Sequence, residues 1–145
     1  MSLPRYVINF EELTDGLFDN KDDNIKINKG KQYSKGFHID LHKDNFLEYE
    51  IQEDILINAI SISSTEKSKF GNTNFNLILE NKLGNKKNYI FENFYIKDIF
   101  EQKQMYGYLR ANISDKIKIE FNNIDGVEHI FIDIDYLKRE KEENI

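Results

Sequence analysis

Residues 129–137 read His-Ile-Phe-Ile-Asp-Ile-Asp-Tyr-Leu. An isoleucine stands at every second position from 130 to 134, and this period of two is typical of a β-strand with one buried face. The alternation places Asp133 and Asp135 on the face opposite Ile132 and Ile134. We therefore predict that this stretch is the last strand of the protein and packs its isoleucines into a core.

The same alternation recurs along the chain in short runs separated by clusters of Asn, Asp, Gly and Lys. Residues 55–62 are almost continuously apolar, which predicts a central strand buried on both faces, and a change of register at Ala59 predicts a β-bulge. Residues 83–87 predict a hairpin turn, and residues 96–104 are the one stretch with helical spacing. About ten short strands predict an all-β, two-sheet antiparallel β-sandwich, and the alternative is an up-and-down barrel of the lipocalin kind.

The chain has 145 residues and a formal net charge of −6, and 13% of its residues are aromatic. This length suits one domain, which we place at residues 1–137, and the charged residues 138–145 predict a frayed tail.

The acidic balance argues against a nucleic-acid partner, and no apolar run is long enough for a membrane span. Residues 1–10 lack the apolar segment of a secretory signal, and the compartment stays open. The absence of cysteine excludes disulfides.

A group of aromatic residues exceeds what the alternation assigns to a core: Tyr33, Phe70, Tyr89, Phe94, Tyr95, Tyr106 and Tyr108. Rings on the surface of a β-sandwich stack against sugar faces or anchor a protein partner. Tyr106, Tyr108 and Arg110 share one strand face, which predicts a stacking surface with a bidentate donor. These three residues and Tyr95 are our candidate ligand-binding residues, and the alternative is that the rings belong to the core.

Two sets of residues are candidate metal ligands. His38, Asp40 and His42 alternate on a predicted strand, and imidazole and carboxylate groups bind divalent transition metals. The two histidines would lie about 13–14 Å apart along an extended strand, so the alternative is a solvated strand face. The acidic pairs near the two ends, Glu11 with Glu12 and Asp133 with Asp135, suit the oxygen coordination of calcium if the first and last strands are neighbours, and the alternative is a polar outer face.

Two segments resemble bacterial carbohydrate-binding modules that have the galactose-binding-like jelly-roll fold. Residues 9–16, Asn-Phe-Glu-Glu-Leu-Thr-Asp-Gly, are similar to the opening of those modules, and residues 131–137 resemble their closing strand. The resemblance implies a jelly roll in which Glu11 and Asp133 hold a structural calcium ion, with Asp135 as a further candidate ligand. It also implies sugar binding on the concave face of one sheet or at loop tips, although this chain has no tryptophan to present to a sugar.

We therefore expect a non-catalytic recognition module that binds a carbohydrate or cell-surface glycan through surface aromatic residues, with calcium as its candidate cofactor. Two alternatives stay open, because a fold does not determine a function. The first is a protein-interaction or structural module of a surface, spore or phage assembly. The second is a small metal-dependent enzyme that uses His38, Asp40 and His42.

Overall fold

The structure is a computed structural model, and it describes residues 5–10, 25–27, 32–82, 86–101 and 109–141. It contains a one-turn helix, α1 (Lys67–Phe70), and a 3-10 helix (Ile96–Glu101) that lies in the predicted helical stretch. The strands are β1 (Arg5–Asn9), β2 (Ile25–Ile27), β3 (Tyr33–Asp40), β4 (Phe46–Glu50), β5 (Ile55–Ser64), β6 (Asn74–Asn81), β7 (Lys86–Tyr95), β8 (Leu109–Ala111), β9 (Lys116–Asn122) and β10 (His129–Lys141).

The strands form two antiparallel sheets. In the six-stranded sheet β5 and β10 are central: β1 and β8 pair with β5, and β3 and β2 pair with β10. The four-stranded sheet has the order β4-β9-β6-β7. This confirms the predicted two-sheet β-sandwich, and among the described residues no strand of one sheet pairs with the other, as a barrel would require. No helix in the described ranges is both long and apolar enough to cross a membrane.

Strand β5 is the central buried strand that the sequence predicted, and all ten of its residues are buried. Asp135 lies opposite Ala59, and the next residue of β10 lies opposite Ile57, so Asn58 is an extra residue in β5. This irregularity is a β-bulge one residue away from the predicted position. The backbone carbonyl of Asn58 accepts the N–H of Phe10 at 2.9 Å, which ties the end of β1 to the bulge.

The core lies between the two sheets. The four-stranded sheet contributes a cluster of phenylalanine rings around the fully buried Phe75. Its ring centroid lies 5.7 Å from that of Phe91, 6.1 Å from that of Phe94 and 6.4 Å from that of Phe121. The six-stranded sheet contributes a layer of isoleucines that are 0–2% exposed: Ile57, Ile60, Ile62, Ile130, Ile132 and Ile134. The structure therefore confirms that Ile130, Ile132 and Ile134 of the stretch 129–137 point into the core, as their alternation predicted.

Strand β10 extends beyond the boundary that we predicted at residue 137. Its residues 139–141 pair with Ile25–Ile27 of β2, so the charged stretch continues a strand where we expected a frayed tail. Lys138 Nζ also lies 3.2 Å from a carboxylate oxygen of Glu53. The pairing with β2 supplies hydrogen-bond partners that the sequence alone does not reveal. Residues 142–145 lie outside the described residues.

Candidate functional site

Alternate residues of β4, β9, β6 and β7 form the outward surface of the four-stranded sheet, which we call the outer face. Leu47, Ile119 and Leu77 pair across three of these strands and point into the core. Their neighbours along each strand point the opposite way, because side chains alternate between the two faces of a sheet. On the outer face Glu48 therefore stands opposite Lys118.

Three exposed aromatic rings share the outer face. Phe46 is 38% exposed, Tyr89 is 49% exposed and Tyr95 is 39% exposed. Among the Phe and Tyr side chains whose burial the structure describes, no other is as exposed. Phe46 lies on the edge strand β4, and the two tyrosines lie on the opposite edge strand, β7. Strand spacing and residue rise place Phe46 and Tyr89 about 16 Å apart. The outer face therefore carries an aromatic ring at each of its two edges.

The surface between these rings is polar. The Asn76 amide nitrogen donates to a Glu120 carboxylate oxygen at 3.5 Å, and the Asn76 amide oxygen accepts the backbone N–H of Asn93 at 2.7 Å. Lys118 Nζ lies 3.5 Å from a Glu120 carboxylate oxygen and 5.1 Å from the ring centroid of Phe46. Amide, carboxylate and ammonium groups together present both donors and acceptors beside an aromatic ring.

A buried amide lies beside the ring of Tyr95. Asn74 stands opposite Tyr95 across β6 and β7, and its side-chain oxygen is buried without a hydrogen-bond partner. A buried unpaired acceptor costs about 1–3 kcal/mol. Lys97 Nζ lies 5.4 Å from the ring centroid of Tyr95. Tyr95, a residue chosen from the sequence, thus has a cation near its ring and an unpaired acceptor on its register partner.

A cleft of about 400 Å³ opens at one end of the outer face. Lys87 and Glu80 line it, and the Lys87 ammonium lies 3.4 Å from the Glu80 carboxylate. The buried Asp115 shapes this end, because its carboxylate accepts the backbone N–H groups of Lys82 at 3.2 Å and Asn112 at 2.9 Å. The cleft adds charged hydrogen-bonding groups to the surface that carries the rings.

The candidate ligand-binding residues chosen from the sequence do not form one described surface. Tyr106 and Tyr108 lie outside the described residues. Arg110 is exposed on β8 and stands opposite Leu56 in the six-stranded sheet, whereas Tyr95 belongs to the four-stranded sheet. The structure therefore places Arg110 and Tyr95 on different sheets.

Asp133 and Asp135 lie on the outward side of the six-stranded sheet, opposite the face that buries the isoleucines. Asp133 pairs with Ser61 on one side and Gly36 on the other, and a Cβ on Gly36 would come within 3.0 Å of an Asp133 carboxylate oxygen. Glu11 lies outside the described residues. In the described part of the chain no group of three or more His, Asp or Glu side chains could hold a metal ion. The described residues alone therefore contain no complete calcium ligand set.

The three histidines of the chain lie near one another at the end of β3. His38 Nε2 is 3.0 Å from His129 Nδ1, and His129 opens β10 opposite Asp40. His42 lies in the turn after β3, where its Nε2 is 3.8 Å from a Glu128 carboxylate oxygen. The nearest imidazole to His38 is therefore that of His129 and not that of His42, because β3 ends at Asp40 and the chain turns there.

Two carboxylates near the histidines, those of Asp40 and Glu66, accept hydrogen bonds. The backbone N–H of His42 donates to Asp40 Oδ1 at 3.0 Å and lowers the pKa of Asp40. Partial burial acts to raise the pKa of Glu66, but hydrogen bonds from the Ser64 hydroxyl, at 2.8 Å, and from neighbouring groups lower that pKa overall. The Ser64 hydroxyl also lies 2.7 Å from the carbonyl oxygen of His129. Strands β5 and β10 are therefore linked beside the histidines.

A family model matches residues 29–141, which include all the strands from β3 to β10. The chain belongs to this family. It is described as "Domain of unknown function (DUF8551)", so the match carries no activity or ligand. No curated protein and no solved structure matches this DUF8551 chain significantly.

Sequence reasoning did not select Phe46 or His129, and it left Tyr89 among the surplus rings. A local signal existed for Phe46, because the inward run that begins at Leu47 places its neighbour on the opposite face. The orientation of Tyr89 depends on the register between β7 and β6, which shifts on both sides of Leu77, so the sequence alone did not reveal it. His129 had no local signal, because its approach to His38 depends on the pairing of strands far apart in sequence.

Proposed function

We propose that this DUF8551 chain is a non-catalytic recognition module that binds a carbohydrate on the outer face of its four-stranded sheet. The observation that carries the proposal is the exposure of Phe46, Tyr89 and Tyr95 on that one face. Aromatic rings combine apolar area with rigid planes, and such planes stack against the C–H faces of sugar rings. The outward side of the six-stranded sheet differs in chemistry: serine, alanine and glycine occupy most of its pairs with β10, and one further pair places the imidazole of His38 against the half-buried ring of Phe131.

The polar residues between the rings suit the hydroxyl groups of a sugar. Asn76, Glu120 and Lys118 offer donors and acceptors within the same surface, so a sugar that stacks on a ring can also form hydrogen bonds. The separation of about 16 Å between Phe46 and Tyr89 exceeds one sugar ring, which favours an oligosaccharide. Because the surface is open, we expect a dissociation constant in the range of about 1 µM to 1 mM.

The proposal also includes a structural calcium ion on the six-stranded sheet. Asp133 and Asp135 lie on one face with the hydroxyl-bearing Ser61 and Ser34 as their register partners, and oxygen donors of this kind fit calcium. Calcium takes about six to eight oxygen ligands, so the proposal assigns a further ligand to Glu11. The ion would stabilise the fold without contact to a sugar on the other sheet.

Affinity electrophoresis through gels containing single polysaccharides tests the sugar proposal, with a glycan array to widen the choice. We expect retention on at least one polysaccharide and at least a tenfold weaker interaction in Tyr89→Ala, Tyr95→Ala and Phe46→Ala. Val7→Ala is a matched control, because this side chain is apolar and 39% exposed but lies on β1 of the six-stranded sheet, away from the outer face. No retention on any polysaccharide, or an equal loss in the control variant, would contradict the proposal.

A further inference from the structure

Two histidine side chains face each other across β3 and β10. His38 Nε2 lies 3.0 Å from His129 Nδ1, and the two ring centroids are 5.1 Å apart. The ring of His38 also stacks on Phe131, with a centroid distance of 4.8 Å and an interplanar angle of 16°. The backbone carbonyl of His129 lies 2.7 Å from the Ser64 hydroxyl, whose single hydrogen it shares with Glu66. Both imidazoles are therefore positioned by paired strands and packed neighbours.

We infer that His38 and His129 form a binding site for a divalent transition-metal ion of the class that imidazole prefers, such as Zn²⁺ or Cu²⁺. The two facing nitrogens form a hydrogen bond, so one of them is an N–H donor and the other presents a lone pair. An ion would replace this hydrogen once the donor ring changes to its other tautomer, because imidazole lone pairs are the usual protein ligands of these ions. A tetrahedral ion with bonds of about 2.0–2.1 Å holds two nitrogens about 3.3 Å apart. The observed separation of 3.0 Å therefore needs to open by only a few tenths of an ångström.

Asp40 is the side chain best placed to join the two imidazoles. It is the register partner of His129 and follows His38 by two residues on β3, so the three residues share one face of the sheet. Asp40 Oδ1 accepts the backbone N–H of His42 at 3.0 Å. No group of three ligand side chains is assembled among the described residues. In the proposed site the two imidazoles bind the ion, and water molecules complete its coordination. Rotation of the Asp40 side chain would add a carboxylate ligand.

An open cleft reaches His38, one histidine of the pair, and the other, His129, is half-exposed. The cleft has a volume of about 530 Å³, and its lining runs from His38 and Asp40 to Phe46 and Glu48 on β4. Metal sites need such an entry path as well as suitable ligands. The pair itself lies on the outward side of the six-stranded sheet, and the cleft leads from it toward Phe46 and Glu48 of the outer face.

Calorimetric titration of the tag-free, metal-stripped full chain with zinc chloride tests this inference. We expect one ion per chain and at least a tenfold loss of affinity in His38→Gln and in His129→Gln. His42→Gln is the matched control, because this third histidine is exposed beside Glu128 and should leave the affinity unchanged. Wild-type affinity in both test variants, or an equal loss in the control, would overturn the assignment.

A second measurement covers the case in which a variant does not fold. Substoichiometric Cu²⁺ added to the wild-type chain should broaden the imidazole NMR signals of His38 and His129 together, because both rings would contact the same paramagnetic ion. The His42 signals should broaden less. Broadening of the His42 signals that equals or exceeds that of His38 and His129 would overturn the inference.

Discussion

Replacement of Phe75 by alanine is predicted to remove a large share of the stability of the sandwich. Phe75 is fully buried on β6, and the ring centroids of Phe91, Phe94 and Phe121 lie 5.7, 6.1 and 6.4 Å from its own. A buried Phe-to-Ala change costs about 3–5 kcal/mol, and the three aromatic neighbours place the expected loss near the upper end, at about 4 kcal/mol or more. Because the free energy of unfolding of a domain is about 5–15 kcal/mol, this loss is about a quarter or more of the total stability.

Equilibrium urea unfolding followed by circular dichroism measures this loss. The slope of the unfolding free energy against urea should not change, and with a slope of about 2 kcal/mol per molar urea the midpoint should fall by about 2 M. Tyr89→Ala is the control on the other face of the same sheet, and it should change the stability by no more than about 0.5 kcal/mol. A loss below about 1 kcal/mol in Phe75→Ala would refute the packing described between the two sheets.

Three further predictions concern a turn, a carboxylate and the proposed calcium. Gly126 has a φ of +78°, and an added Cβ would lie 2.3 Å from Lys69 Cδ. Gly126→Ala should therefore lower the free energy of unfolding by about 1–3 kcal/mol, as measured by thermal unfolding. An unchanged melting temperature would contradict this prediction. The pKa of Glu66 is lowered in the folded state, so its stabilisation should be present above the ordinary value of 4.5 and be lost as the pH falls through the folded pKa. Ser64→Ala removes one cause of that shift and should reduce this acid sensitivity, as urea midpoints against pH would show; an unchanged pH profile would count against it. Calcium should raise the melting temperature of the wild-type chain but not that of Asp133→Asn, and equal responses in the two proteins would exclude the proposed ion.

The fold was largely predictable because strand alternation is a local property of the sequence. The run of isoleucines in residues 129–137 and the continuous apolar stretch 55–62 each specify which side chains are buried, and the structure buries them. The bulge was also visible as a break in the pattern, one residue from its position at Asn58. The extension of β10 to Lys141 was not visible, because it depends on pairing with β2.

The candidate sites were less predictable because they depend on which strands become neighbours. Tyr95, which the sequence offered as a ligand-binding residue, is exposed, but its place on one face with Phe46 needs the strand order β4-β9-β6-β7. The predicted row of His38, Asp40 and His42 assumed a strand that continues through residue 42. The turn after Asp40 separates that row, and the register of β10 places His129 beside His38 instead.

Chemical-shift mapping by NMR, with the oligosaccharide retained best in the affinity gels, is the most direct measurement of where a sugar binds. The largest shifts are predicted for the backbone amides around Phe46, Tyr89 and Tyr95, with little change around Asp133 and Arg110 on the six-stranded sheet. Largest shifts on the six-stranded sheet, or no shifts at saturating sugar, would contradict recognition through the outer face.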